Sequence, residues 1–286
     1  MAVAGVVFVA FRLHSYWIHL DFSRVTPLVW CLMAVFAVIY GTANVLLALA
    51  WWRLLRHLGA WGTAPGSIRI YGISQLAKYA PGNIFHLAGR QALGMAAGLP
   101  AGVLVKSAIW ELGLIAVTAS LFGWLIVPLV SPGFPETASL FLLLGSVAFV
   151  GVLLRRKVGS QTAWAFLWQI LFLFISGALF VALLTVIAGD EGGLVFHWLS
   201  VAGAYTVAWL AGLVTPGAPA GVGVREMVLV LLLGSRVPET DLLMAVLLGR
   251  LVTVIGDLLF FMAAFLIPAK RCIFEGIHAR ESRLDS

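Results

Sequence analysis

Residues 78–90 read KYAPGNIFHLAGR. Two cations, a His, an Asn and a Pro-Gly break stand together there in a chain that is otherwise strongly apolar. Of its 286 residues 62% are hydrophobic and only 10% carry charge, with mean hydropathy +1.05. Soluble domains run about 45–50% apolar and about 25% charged, so no soluble fold of this length has room inside for these side chains. The bilayer is the solvent for most of the chain, and each charge inside an apolar stretch needs a reason.

A spanning helix takes about 20 mostly apolar residues. Working outward from 78–90, the segments 27–52, 101–130, 137–154, 164–188 and 239–267 fit that description, with a weaker one at 2–16. The N-terminal MAVAGVVFVAFRLH lacks the basic leader of a signal peptide and reads as a short first membrane helix. Two segments do not fit. Residues 68–97 are semi-polar and broken at Pro81-Gly82, and 194–234 are apolar but broken within TPGAPAGVG.

The net charge of +6 does not point to nucleic acid, because the cations flank apolar runs. Arg53, Arg56, Arg69, Arg155, Arg156, Lys157, Lys270, Arg271, Arg280 and Arg283 fall on one side, the expected cytoplasmic one. Arg12, Arg24 and Arg236 fall on the other, and the loops SPGFPE and GDEGG carry no cation. Lys78, Arg90, Lys106, Arg225 and Arg250 remain at membrane depth with Glu111, Glu226 and Asp257. Each such charge costs about 2.5–3.5 kcal/mol at the bilayer centre, which is much to spend on idle groups. Lys78 and Lys106 could instead snorkel to an interface.

The broken segments match one another. Pro81-Gly82 leads to Arg90 by the same offset that takes Pro216-Gly217 to Arg225, with Gln91 following one Arg and Glu226 the other. Each half then reads as span, broken hairpin, span, the first starting outside and the second inside. Charge alone leaves 194–234 open between a re-entrant hairpin and two full spans. The expected fold is an all-α polytopic membrane protein with about 6–8 membrane helices, an inverted repeat and two broken or re-entrant helical hairpins. It forms one transmembrane domain over 1–286, with repeats at about 27–130 and 164–267 and a basic cytoplasmic tail at 268–286.

Breaks of this kind free backbone N–H and C=O groups that lipid cannot satisfy, so they face protein or a wet cavity. Helix N-termini there favour anions, and a guanidinium can grip phosphate with two parallel bonds. Arg90 and Arg225 are the expected anion ligands, Glu226 the balancing charge and His86 a phosphate contact or proton relay. The structural alternative pairs Arg225 with Glu226 or a neighbour. Tyr71 and Tyr79 suit headgroup contact, as they suit simple interfacial anchoring. Arg250 and Asp257, seven apart on α-helical spacing, should each meet another helix. The expected substrate-binding set is Lys78, Tyr79, Pro81, Gly82, Asn83, His86, Arg90, Glu111, Pro216, Gly217, Arg225, Glu226, Arg250 and Asp257.

No catalytic constellation is legible: no HExxH, no Ser-centred elbow, no ATP-binding Lys in GAPAGVG. Cys31 and Cys272 lack metal spacing. The expectation is a non-enzyme without cofactor or metal.

YGISQLAKYAPGNIFHLAGR and TPGAPAGVGVREMVLVLLL resemble the two signature regions of the lysylphosphatidylglycerol synthase transmembrane family, its flippase-like membrane region. The similarity runs from WWRLLRHLG at 51–59 to Ile267, and the first motif resembles the branch met with glycan-lipid enzymes. The resemblance implies a multi-pass inner-membrane protein, C-terminus cytoplasmic, that moves an anionic phospholipid or polyprenyl-phosphate-linked glycolipid between leaflets. Pro81, Gly82, Arg90, Pro216, Gly217, Arg225 and Glu226 would then line the path. The alternative is a non-transporting partner or regulator of a lipid-linked glycosyltransferase. The chain reaches Ser286 soon after its last expected span, so it should lack the synthase's aminoacyl-transferase domain and not make lysyl-lipid. PGAPAGVGVRE also inserts Ala-Pro-Ala where the family pattern has a tighter Pro-Gly-Gly, which points to a different ligand from a lysylated phospholipid.

Overall fold

The computed structural model describes residues 27–79, 85–131, 133–189, 197–215, 221 and 223–268. Within these, every regular element is helical. Five helices are long and apolar enough to cross a membrane, and the protein is a polytopic α-helical membrane protein. We number the helices α1 (Pro27–His57), α2 (Ala64–Gln75), α3 (Phe85–Ala96), α4 (Ala101–Leu121), α5 (Glu136–Lys157), α6 (Ser160–Ala188), α7 (Trp198–Val214), α8 (Val224–Leu233) and α9 (Glu239–Phe265). Beyond α4 the helical path continues through Phe122–Ile126 and Val127–Val130, so that 101–130 acts as one span. The weak candidate at 2–16, the tail from 269 onward and both Pro-Gly breaks lie outside the described residues.

The spans run longer than hydropathy suggests. α1 continues five residues past Trp52 to His57, and α5 takes in Arg155, Arg156 and Lys157 as its last turn. Cations at a helix C-terminus complement the dipole and reach past the apolar slab, so they extend a membrane helix instead of ending it. Prolines mark the starts: Pro100, Pro135 and Pro238 stand immediately before α4, α5 and α9. Thr63 caps α2, its side chain accepting from the Gly66 N–H at 3.2 Å.

Side-chain contacts sort the helix ends into two groups. At a basic end, Arg53 of α1 donates to Gln161 of α6 (3.1 Å), and Arg69 of α2 donates to the carbonyls of Phe265 and Ile267. The six described cations assigned to the cytoplasmic side from sequence belong to this end. At the opposite end, Glu136 of α5 accepts from Ser200 of α7 (2.8 Å), and its other near neighbour is His197. Arg236 there donates to the Pro128 carbonyl (3.3 Å).

α2 starts at the basic end, and α3 hands the chain to α4, which starts there too. α7 starts at the opposite end, and α8 returns the chain to Arg236 at that same end. α2 and α3 have 12 residues each and α8 has 10. At 1.5 Å per residue these measure about 18 and 15 Å, well under the ~30 Å hydrocarbon thickness.

The centre of the bundle is the packing of α1 against α6 and α9. Gly41 and Gly256 make the α1–α9 contact possible: a Cβ on Gly41 would sit 2.7 Å from the Gly256 carbonyl oxygen. Small residues are the usual means of close helix approach where lipid supplies no hydrophobic drive. Polarity is inverted relative to a soluble protein. Phe141, Phe149 and Ile109 face outward, while Asn44, Gln169, Thr118 and Asp257 are fully buried. Those interior groups bond to one another, as Thr118 does to Gln169 (3.3 Å) and Asn44 to Asp257 (3.1 Å).

Candidate functional site

Polar side chains in the interior gather at two clusters, one for each broken segment. In the first, Arg90 of α3 is 3% exposed and its guanidinium is bound to the Glu111 carboxylate of α4. The other Glu111 oxygen accepts from the Tyr71 hydroxyl of α2 at 2.9 Å. Arg90 also lies over the Tyr71 ring, 3.7 Å from its centroid, and 5.6 Å from that of Trp51. Its Nε faces the Ser74 hydroxyl at 3.5 Å. Charge, π face and hydrogen-bond geometry are thus all occupied by protein, which is what makes a buried guanidinium tolerable.

The second cluster is built differently. Glu226 does not pair with its neighbour Arg225. One of its oxygens takes Arg250 of α9 at 3.0 Å, and the other accepts the Gly223 N–H at 2.7 Å, closing the first turn of α8. Arg250 also donates to the Gly221 carbonyl (3.1 Å). Arg225 is left beside Trp209, 5.8 Å from the ring centroid, with its Nε buried and without a hydrogen-bond partner among the described residues.

Close backbone packing holds Arg225 in place. A Cβ on Gly212 of α7 would come within 2.9 Å of Arg225 Cγ and Nε, and 3.0 Å of the Gly221 Cα. Gly221 itself has φ +72°, a conformation that side-chain-bearing residues rarely adopt. The end of α7, the turn at Gly221 and the arm of Arg225 are therefore stacked with no room for a methyl group.

Asp257 links the two halves. Fully buried on α9, it accepts from Asn44 of α1 and from Tyr79, and it pairs with Lys78 at 2.7 Å. Lys78 and Tyr79 belong to the 3₁₀ turn Leu76–Tyr79 that ends α2. The turn that follows α2 is thus tied to α9.

Between the clusters lies a cavity of about 100 Å³. A single water needs roughly 10–15 Å³, so this space admits several waters or a small polar group. Lys78, Tyr79, His86, Glu111, Arg225 and Arg250 line it. Of the remaining expected residues, Glu226 and Asp257 stand behind the wall holding Arg250 and Lys78, and Arg90 stands behind Glu111. Pro81, Gly82, Asn83, Pro216 and Gly217 lie outside the described residues. Lys106 is exposed on α4, away from the cavity, as a snorkelling lysine would be.

The charge count is uneven. Arg90, Lys78 and Arg250 have carboxylate partners in Glu111, Asp257 and Glu226, and Arg225 has none within salt-bridge distance among the described residues. His86 adds a second case, since its Nδ1 is buried without a hydrogen-bond partner among the described residues. Both side chains line the cavity, so the site carries excess positive charge together with unfilled hydrogen-bonding capacity.

Several lining residues escape a reading by charge alone. Tyr40 of α1, Gln75 of α2, and Trp209 and Gly212 of α7 all face the cavity. The usable signal was a Tyr, an Asn or a Trp deep within an apolar run, as Tyr40, Asn44 and Trp209 are. No protein-family model matches this chain, and no curated protein matches it. Among the described residues no group of His, Cys, Asp and Glu could hold a metal.

Proposed function

We propose that this protein is a membrane transporter of the flippase type, which carries an anionic amphiphile between leaflets with its phosphate bound by Arg225. The cargo class is a phospholipid or a polyprenyl-phosphate-linked glycolipid. The observation that carries this reading is the Arg225 guanidinium, inside the bundle on a cavity wall, with no carboxylate partner and an unpaired Nε among the described residues. An uncompensated buried charge costs several kcal/mol, and a visiting phosphate would offset that cost through charge-assisted, bidentate bonds.

The course of the chain supports the same reading. α2–α3 begins and ends at the basic end, and α7–α8 begins and ends at the opposite one; each helix but α7 is far too short to span. We read them as re-entrant hairpins entering from opposite leaflets within an inverted repeat of 27–130 and 164–267. Such repeats place substrate sites where broken helices meet near the midplane. The basic end is assigned to the cytoplasm, which puts the C-terminal end of α9 there. Lys78 and Arg250, already paired, would hold the rest of the headgroup by sharing their carboxylate partners.

The test is reconstitution into liposomes containing fluorescently tagged phosphatidylglycerol, with quencher added outside to measure movement between leaflets. Wild-type protein should accelerate movement, Arg225→Ala should not, and Lys106→Ala should behave as wild type. Normal movement with Arg225→Ala overturns the proposal. Wild-type protein that moves no lipid, but co-purifies with a glycosyltransferase, would favour the partner reading instead.

A further inference from the structure

The main cavity does not stand alone. Two smaller cavities of about 20 Å³ each follow it in series. The first shares Arg225, Arg250 and Thr253 with the main cavity. The second shares Tyr205, Phe180, Gly249 and Thr253 with the first and Tyr40 and Thr253 with the main cavity, and no charged residue among the described ones lines it. Charge therefore falls away from the main cavity: guanidinium groups line it and the first small cavity, whereas in the second the hydroxyl-bearing Tyr40, Ser176, Tyr205 and Thr253 stand among Phe36, Leu179, Leu183 and Val252. Phe36 of α1 and Leu179 of α6 are only partly buried, so the series ends at the lipid-facing side of the bundle.

The geometry points to a lateral portal for a hydrocarbon chain between α1, α6 and α9, continuous with the Arg225 cavity. The inference rests on the anion-binding reading and deepens it. The ligand's phosphate lies on Arg225, and one alkyl or prenyl chain leaves past Gly249 into the bilayer. Each small cavity holds little more than one water-sized occupant at ~10–15 Å³ apiece, which suits a single file of methylenes and excludes two chains side by side. Gly249 sets the bore: a Cβ there would only just touch Leu183 at 3.6 Å and Phe180 at 3.9 Å. Any larger side chain would occupy the path. Burial of a methylene in such a passage gains much relative to water but nearly nothing relative to lipid, so the portal selects a shape and adds little affinity.

The experiment uses dodecyl phosphate with a diazirine at the end of its chain, photo-activated with the protein in lipid nanodiscs and mapped by mass spectrometry. Adducts should concentrate on Phe36, Leu179 and Leu183. Gly249→Leu should cut that labelling about tenfold, equivalent to roughly 1.4 kcal/mol. It should leave intact the thermal stabilisation that inorganic phosphate gives the protein. Ser176→Leu, from the α6 wall of the same passage, serves if Gly249→Leu does not fold. Labelling confined to exposed faces such as Phe141 and Phe149, or unchanged in both variants, overturns the portal. If inorganic phosphate still stabilises the wild type and not Arg225→Ala in that case, the anion site stands without the portal. If phosphate stabilises Arg225→Ala as well as wild type, the anion-site reading itself falls.

Discussion

Arg90 and Arg225 hold matching places in two segments, each set off by a Pro-Gly pair at the same distance, yet the molecule treats them in opposite ways. Arg90 is enclosed by Glu111, Tyr71 and Trp51, and its charge is paired within the protein. Arg225 lines the cavity, and the carboxylate next to it in sequence, Glu226, is committed to Arg250 and to the Gly223 N–H. The same residue type at the same offset is paired with a carboxylate in one segment and has no carboxylate within salt-bridge distance among the described residues in the other. The difference lies in the partners supplied by the closing helix of each half. α4 supplies a carboxylate, Glu111, whereas α9 supplies a competing cation, Arg250.

The sharpest way to break this comparison is to remove Glu111. Glu111→Ala strands Arg90 in the interior and should cost about 3–5 kcal/mol, read as a lower unfolding temperature in detergent. The double variant Arg90→Met, Glu111→Leu should recover most of that loss, because well-packed apolar residues can replace a buried ion pair at little cost. A mild effect of Glu111→Ala would mean that the pair with Arg90 is no structural brace.

Gly212→Ala should come next. Its methyl group meets the arm of Arg225 and the Gly221 backbone, and overpacking of this kind costs about 1–3 kcal/mol. Movement of anionic lipid should fall with it, because the guanidinium is displaced. Stability and transport measured on one preparation would show whether the two losses go together.

Arg225→Met sharpens the contrast from the other side. Removing a charge that has no carboxylate partner among the described residues should leave the protein as stable or raise its stability by up to a few kcal/mol, and removes the stabilisation given by inorganic phosphate. Large destabilisation by Arg225→Met would make it a second brace and erase the asymmetry. Lys106→Ala is the smallest expected effect, within about 0.5 kcal/mol, since the side chain is exposed and far from the cavity. Its transport should equal that of the wild type.

Much of this was legible before any coordinates. Hydropathy alone marks the five spans, because about 20 apolar residues in a row have few fates outside a membrane. The cations of 53–69 and 155–157 group at one end of the bundle as their positions beside apolar runs require. Arg250 and Asp257 do each meet another element, Glu226 of α8 for one and Asn44, Lys78 and Tyr79 for the other. What the one-dimensional pattern could not show is pairing. Arg225 and Glu226 are adjacent in sequence, but on a helix adjacent side chains point about 100° apart, so Glu226 serves Arg250 instead. Tyr40, Gln75 and Trp209 escaped notice because their residue types also occur as ordinary interfacial or packing groups.

The sequence by itself determined the solvent, the spans, the basic end and the presence of charges within the apolar slab, since each follows from transfer free energies that depend on local composition. Only the tertiary structure decided which of those charges neutralise one another and which one faces a cavity. Ion pairing is a matter of ångström-scale distances between helices far apart in the chain, such as the 2.7 Å from Lys78 to Asp257, and no local pattern encodes them.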